Sequence, residues 1–174
     1  DGRRSEVESA LEDIRALTLR TGALEFIPLD DPGDIWKVRG ALVKAVEATS
    51  EQEPVDIVVP ISRTAEFIRF VRRTEAESGL RMVSFGHAGD GNLHIYACKD
   101  DLADEVWEKA VEQVMDELYI AAKEMGGEVS GEHGIGHAKK GFLAESMGET
   151  QMNLMRGIKA AFDPKGILNP GKVV

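Results

Sequence analysis

The segment His87-Ala88-Gly89-Asp90-Gly91-Asn92-Leu93-His94 limits most sharply what this chain can become. Strand-like apolar runs flank it, Leu80 to His87 before and Leu93 to Cys98 after. Asp-Gly between such runs signals a tight type I′ hairpin turn, in which both central residues need positive φ. Two strands joined so closely run antiparallel. With Asp90 and Gly91 as the turn, Gly89 pairs with Asn92, Ala88 with Leu93 and His87 with His94. Directly opposed residues share a face of the sheet, with Cβ atoms about 4.5–5.5 Å apart. Two imidazoles so placed could share one metal ion. Two incidental surface histidines would fit the same hairpin, and a longer loop would shift the register without excluding a shared metal.

Around the hairpin, helical and strand patterns alternate. Ser5-Glu6-Val7-Glu8 has the form of a capping box, with Ser5 as N-cap. Val7, Ala10, Leu11, Ile14 and Leu17 then recur at helical spacing up to Gly22. A short strand is expected at Ala23 to Pro28. Pro32-Gly33 opens a second helix with a buried stripe expected at Ile35, Val38, Leu42, Ala45 and Val46. The β-branched run Val55 to Val59, ended by Pro60, reads as a strand. Ser62 should cap a helix that ends at Ser78-Gly79. A long helix spans Asp101 to Met125, with Trp107, Ala110, Val111, Val114, Leu118 and Ala121 on one side. Glu128 to Ser130 reads as a short strand, Thr150 to Phe162 as a helix, and Lys165 to Lys172 as a turn-rich tail. Helices packed on one face of a mainly antiparallel sheet, an α+β fold, accommodate this order. No repeat or interdomain linker interrupts it, and residues 1–174 are read as a single domain.

Length and charge narrow the function. A chain of 174 residues buries roughly 70% of the surface its unfolded form exposes, so it needs no disulfide staple. With 21 basic and 31 acidic residues the net charge is −10, which argues against a nucleic-acid or anionic-membrane binder. The single cysteine, Cys98, excludes an intrachain disulfide and any Cys-rich metal site, and it fits a reducing, cytoplasmic setting. No apolar run reaches the about 20 residues of a membrane helix. The capped helix stands hard against the first residue, Asp1, which is the pattern expected of a fragment whose upstream strand has been cut away.

The four histidines all lie between His87 and His137. The second group is Gly131-Glu132-His133-Gly134-Ile135-Gly136-His137. Glycines around an acid–histidine pair let the backbone take left-handed conformations and approach a ligand closely. Adjacent side chains diverge, so one of Glu132 and His133 could ligate a metal while the other serves as a base. Two His and a carboxylate form a common ligand set with open positions for substrate, and a further histidine is the usual general base. Without a metal, the same segment would read as a Gly-rich helix N-terminus binding an anion through its N–H groups. His137 reads as exposed or outside the ligand set. On the second helix, Trp36 and Arg39 sit three residues apart, and a guanidinium beside an aromatic ring makes a carboxylate clamp. Lys139-Lys140 could attract an anion or simply lie in water.

The motifs His87 to His94, Gly131 to Gly136 and Ile167-Leu168-Asn169-Pro170-Gly171-Lys172 resemble, in order and spacing, the C-terminal domain of FAD-linked oxidases. That family includes D-lactate dehydrogenases, the flavin subunit of glycolate oxidase and D-2-hydroxyglutarate dehydrogenase. The resemblance implies a ferredoxin-like α+β substrate domain that covers the flavin of a separate FAD-binding domain. It implies a divalent metal, zinc in some members, held by His87, His94 and Glu132, with His133 as the base that takes the substrate hydroxyl proton. It also implies that Arg39 binds the carboxylate of a small 2-hydroxy acid and that Asn169 approaches the flavin. A homo-oligomer, and a peripheral location at the inner membrane face through the full-length protein, are compatible with it. One departure concerns substrate identity: some members carry a lysine just before the strand at Val55, where this chain has Glu53-Pro54. No Gly-rich flavin-binding segment precedes the region, so the chain alone is expected to bind FAD poorly. Two other readings fit the residues, a non-catalytic metal-binding or assembly module and a metallohydrolase using the same ligands with bound water.

Overall fold

The computed structural model describes residues 2–29, 31–87 and 89–174. The chain divides into two compact units, Asp1–Leu42 and Val43–Val174. The first holds α1 (Arg4–Arg20) and most of α2 (Gly33–Glu47). α1 starts ahead of the expected Ser5 cap: Arg3 is the N-cap, and the Glu6 carboxylate accepts a hydrogen bond from the Arg3 N–H at 3.1 Å. The strand expected at Ala23 to Pro28 does not form: these residues pair with no other strand among the described residues, and a strand needs a partner for its N–H and C=O groups. The stripe expected to be buried on α2 is exposed at Ile35, Val38 and Leu42, and the helically spaced Val7, Leu11, Ile14 and Leu17 of α1 are exposed as well. Only Val46 on α2 is buried. Helical spacing of apolar residues reports two unlike faces; it does not report what covers the apolar one.

The second unit is built on a three-stranded antiparallel sheet of order β1-β3-β2, with β1 Gln52–Val58, β2 Arg81–His87 and β3 Asn92–Cys98. A 3₁₀ turn at Ile61–Arg63 leads from β1 into α3 (Thr64–Ser78), which ends at left-handed Gly79. That turn, rather than a cap at Ser62, opens the helix. α4 (Asp104–Glu124) follows β3. α5 (Lys140–Phe162) begins ten residues ahead of the expected Thr150 and kinks at Gly148, where φ is 75° and ψ 172°. The strand expected at Glu128 to Ser130 is reduced to one bridge, Val58 to Glu128.

Register decides which side chains meet. Along β3, Leu93, Ile95 and Ala97 face one way, opposite Ile57, Val55 and Glu53 of β1 and Gly86, Ser84 and Met82 of β2. Leu93, Ile95 and Ala97 join Val55, Ile57, Phe67, Val71, Val114 and Leu118 in the main core, where α3 and α4 pack. Each fully buried aliphatic or aromatic side chain there contributes about 1.5–3 kcal/mol. The other face carries Asn92, His94, Tyr96 and Cys98, flanked by Asp56 on β1 and by Val83, Phe85 and His87 on β2. The fold is α+β, with helices packed on a sheet.

The hairpin differs from the expected register. His87 stands opposite Asn92, and Phe85 opposite His94. The Gly89–Asn92 pair does not form, and the Ala88–Leu93 pair falls on Ala88, outside the described residues. The turn is longer because Asp90 and Gly91 both direct their N–H groups at the His87 carbonyl, at 3.3 and 3.2 Å, while the Asp90 carboxylate caps the Asn92 N–H at 2.9 Å. The shift is by two residues, an even number, so His87 and His94 keep a common face.

Candidate metal and catalytic site

The site lies on the sheet face turned away from α3 and α4. His94, in the middle of β3, is buried. His87, at the end of β2, is about one-third exposed, with its ring centroid 5.5 Å from that of His94 and nearly perpendicular to it. The segment 130–133 brings Glu132 over both. One oxygen, Glu132 Oε1, lies 3.0 Å from His94 Nε2 and 3.4 Å from His87 Nε2. Around a tetrahedral zinc with bonds near 2.0–2.1 Å, ligand atoms stand about 3.3 Å apart; these two separations match that spacing, and all three ligand atoms lie within 4.8 Å of one another. The His133 ring stacks on His94 at 4.9 Å and 18° between planes, and Phe85 closes the other side at 5.9 Å.

What holds Glu132 and His133 there is Asp56. This carboxylate is almost wholly buried (1% exposed), and a single oxygen, Oδ2, accepts four hydrogen bonds. The donors are the Ser130 hydroxyl at 2.7 Å and the N–H groups of Gly131, Glu132 and His133 at 3.1, 3.1 and 2.8 Å. Ser130 Oγ in turn accepts the Gly134 N–H at 2.8 Å. The glycine-flanked loop therefore does bind an anion through successive N–H groups, and the anion is the chain's own side chain. Gly131 is required because a Cβ there would stand 2.4–2.7 Å from the Asn92 amide. Gly134 takes φ +81°, in the left-handed region.

Charge is arranged around the same residue. Burial alone would raise the Asp56 pKa; the His133 N–H, the Ser130 hydroxyl, the Glu132 N–H and the Lys139 charge outweigh it and hold the carboxyl below its usual range. Lys139 is itself buried, with Nζ donating to the Asp56 carbonyl at 3.0 Å and lying 3.7 Å from Oδ2. Burial, the largest effect, lowers its pKa. Burial also lowers that of His94, aided by the neighbouring His133 and His87 and opposed by Asp56 and Glu132. A neutral imidazole at ordinary pH is the form a metal requires.

His87, His94 and Glu132 thus come together as one group able to hold a cation, and Asp56, His94 and His133 as a second that shares His94. Asp56 in the second group is already committed to the loop and to Lys139, whereas Glu132 is half-exposed and faces both Nε2 atoms. His137 is exposed and belongs to neither group. Arg39 lies in the first unit, its guanidinium 5.4 Å over the Trp36 ring. Asn169 is exposed, with φ 46°, in a tail whose Val173 N–H donates to the Gly136 carbonyl at 2.8 Å. The sequence reading passed over Asp56 and left Lys139 open. The available signal was one acidic residue inside the otherwise apolar run Val55 to Val59, which demands buried partners.

Among the described residues no helix is long and apolar enough to cross a membrane. The chain is 47% identical over 178 residues to a D-lactate dehydrogenase of Anaerostipes hadrus, an alignment covering 99% of the chain and 38% of that protein. It is 33% identical over 177 residues to the glycolate oxidase subunit GlcD of Bacillus subtilis (99% and 37%), and 31% identical over 144 residues to a D-2-hydroxyglutarate dehydrogenase of Stutzerimonas stutzeri (80% and 31%). It spans less than two fifths of the length of each of these relatives. The family described as FAD linked oxidases, C-terminal domain, matches residues 1–173, and the chain belongs to that family.

Proposed function

We propose that this chain is the substrate- and metal-binding domain of an FAD-dependent oxidoreductase that oxidises a D-2-hydroxy acid, lactate- or glycolate-like, to the 2-oxo acid. The observation that carries the reading is the convergence of two imidazoles and a carboxylate, with a third imidazole stacked beside them, in a chain of this family. FAD, bound mainly by a separate domain, supplies two-electron redox chemistry, and a divalent cation, zinc by the donor set, supplies positive charge that favours an ionised hydroxyl. His87 Nε2, His94 Nε2 and Glu132 Oε1 are the proposed ligands.

The remaining work falls to this chain's side chains. His133 takes the proton of the substrate hydroxyl on a ring nitrogen; Asp56 engages only its backbone N–H, which leaves the ring available. Arg39 would bind the substrate carboxylate, with its planar fork suited to two oxygens, and Asn169 would contact the flavin. A set of three ligands with Glu132 half-exposed favours an open, catalytic centre over a closed structural one.

The test is a set of alanine variants in the intact protein. His87→Ala, His94→Ala and Glu132→Ala should lose bound metal. His133→Ala should keep it while kcat on D-lactate or glycolate falls by about 10²–10⁴. Equal metal loss in all four would refute this division of roles, and a closed four-ligand shell in the metal-loaded protein would refute catalysis at the centre.

A further inference from the structure

Among the described residues, three buried polar atoms at the site have no hydrogen-bond partner, Asn92 Oδ1, Asp56 Oδ1 and His94 Nδ1, and the last two form a pair. They face each other at 3.9 Å, about 1 Å beyond a normal N–H···O contact. Leaving either buried and unpaired is costly, and an approach of about 1 Å would satisfy both. The pairing has a chemical consequence, because a neutral imidazole carries one proton. If Nδ1 holds it, Nε2 presents a lone pair toward Glu132 and His87; if Nε2 holds it, His94 cannot ligate from that side. The rival acceptor for the proton is Glu132 Oε1, 3.0 Å from Nε2, and a cation bound at Nε2 removes that rival.

We propose that Asp56 is the positioning residue of the metal centre: Oδ1 accepts the Nδ1–H of His94 and so directs Nε2 to the metal, while Oδ2 fastens the loop that delivers Glu132 and His133. One carboxylate then sets two otherwise unconnected parts of the centre, a strand histidine and the loop 130–133. The division of labour is visible in the hydrogen bonds. Oδ2 accepts four donors and Oδ1 none, although both oxygens belong to the same buried group. The inference rests on the reading of His87, His94 and Glu132 as ligands and assigns Asp56 no contact with substrate or metal.

Asp56→Asn separates the two oxygens. Its carbonyl oxygen can still receive the loop's N–H groups, but its NH₂ then faces His94 and can only donate, which favours the proton on Nε2. In the intact protein, zinc affinity measured by chelator competition should fall about 10–100-fold, with the far-ultraviolet circular dichroism unchanged. In the zinc-loaded wild type, ¹⁵N-histidine NMR should show His94 coordinated through Nε2 with an exchange-protected proton on Nδ1. Ser130→Ala, which removes one donor to Oδ2 and leaves Oδ1 untouched, should preserve that proton signal. The proposal is overturned if zinc-loaded wild type coordinates His94 through Nδ1, or if folded Asp56→Asn binds zinc as tightly as wild type. Should Asp56→Asn fail to fold, the wild-type spectrum decides alone. A wild type that binds no zinc overturns the ligand reading and this inference with it; zinc binding that survives in Asp56→Asn overturns this inference only.

Discussion

The two faces of β3 are equally shielded from water and organised by different physics. On one, Leu93, Ile95 and Ala97 meet α3 and α4 in an apolar core, where stability is summed over many interchangeable contacts. On the other, Tyr96 and Cys98 pack with Val46, Val83 and Phe85, while Asn92 and His94, just as buried, lie among polar partners whose positions depend on hydrogen bonds from single atoms. Asp56 Oδ2 alone gathers four of those bonds. A core face tolerates shape changes at a graded cost, whereas a polar face centred on one carboxylate should fail abruptly when that group is lost. A strand buried on both sides can therefore carry a scaffold and a site back to back.

The sharpest way to break that contrast is Asp56→Ala. It removes the acceptor of four donors and leaves Lys139 buried without its counter-charge. Removing one partner of a buried pair costs about 3–5 kcal/mol, to be read by urea denaturation, and metal binding should be lost as well. If the variant is destabilised by less than Ile95→Val, the polar face is not organised around Asp56. Gly131→Ala should rank second. Its Cβ would stand 2.4 Å from the Asn92 side chain, and overpacking of that kind costs about 1–3 kcal/mol. The loop would have to shift, so zinc affinity should fall with stability. On the apolar face, Ile95→Val removes one buried methylene for about 0.5–1.5 kcal/mol and should leave zinc affinity unchanged. A comparable loss of affinity in Ile95→Val would show that the two faces are not independent.

The sequence made the scaffold face more readable than the site face. Strand periodicity at Val55 to Val59 and Leu93 to Cys98, and helical spacing through Trp107, Val114 and Leu118, report burial directly. The placing of His87 and His94 on one face also emerged, because parity along a strand survives the two-residue shift of the hairpin, whereas Glu132 was set beside them by the family resemblance. Asp56 did not emerge. Its partners are the Ser130 hydroxyl and, 75–77 positions along the chain, three backbone N–H groups, and backbone donors leave no signature in side-chain identity. The exposed stripe of α2 was misread for a related reason: an amphipathic pattern shows that a face is apolar without naming its cover. Asp90-Gly91 suggested the shortest turn, but the Asp90 carboxylate bonding the Asn92 N–H favours a longer one.

The smallest effect expected is the pH dependence of stability in the metal-free intact protein, and it too separates the faces. On the apolar face Glu53 titrates, and burial raises its pKa, so acidification there relieves a cost instead of adding one. On the polar face His94 has a folded pKa below its free value near 6.5 and Asp56 one below its free value near 3.9. Between the two His94 values the unfolded chain binds more protons than the folded one, so stability is full above about pH 6.5 and declines as pH falls below it. The Asp56 contribution is present above about pH 4 and is lost as pH falls further, through the depressed folded value. Stability should thus be level at neutral pH, slope gently downward below about 6.5 and steepen below about 4. His94→Gln should remove the gentle limb and Asp56→Asn should shrink the steep one, while Ile95→Val should lower the whole curve without changing its shape. A wild-type curve that rises on acidification from neutral pH would contradict the neutral, buried state assigned here to His94.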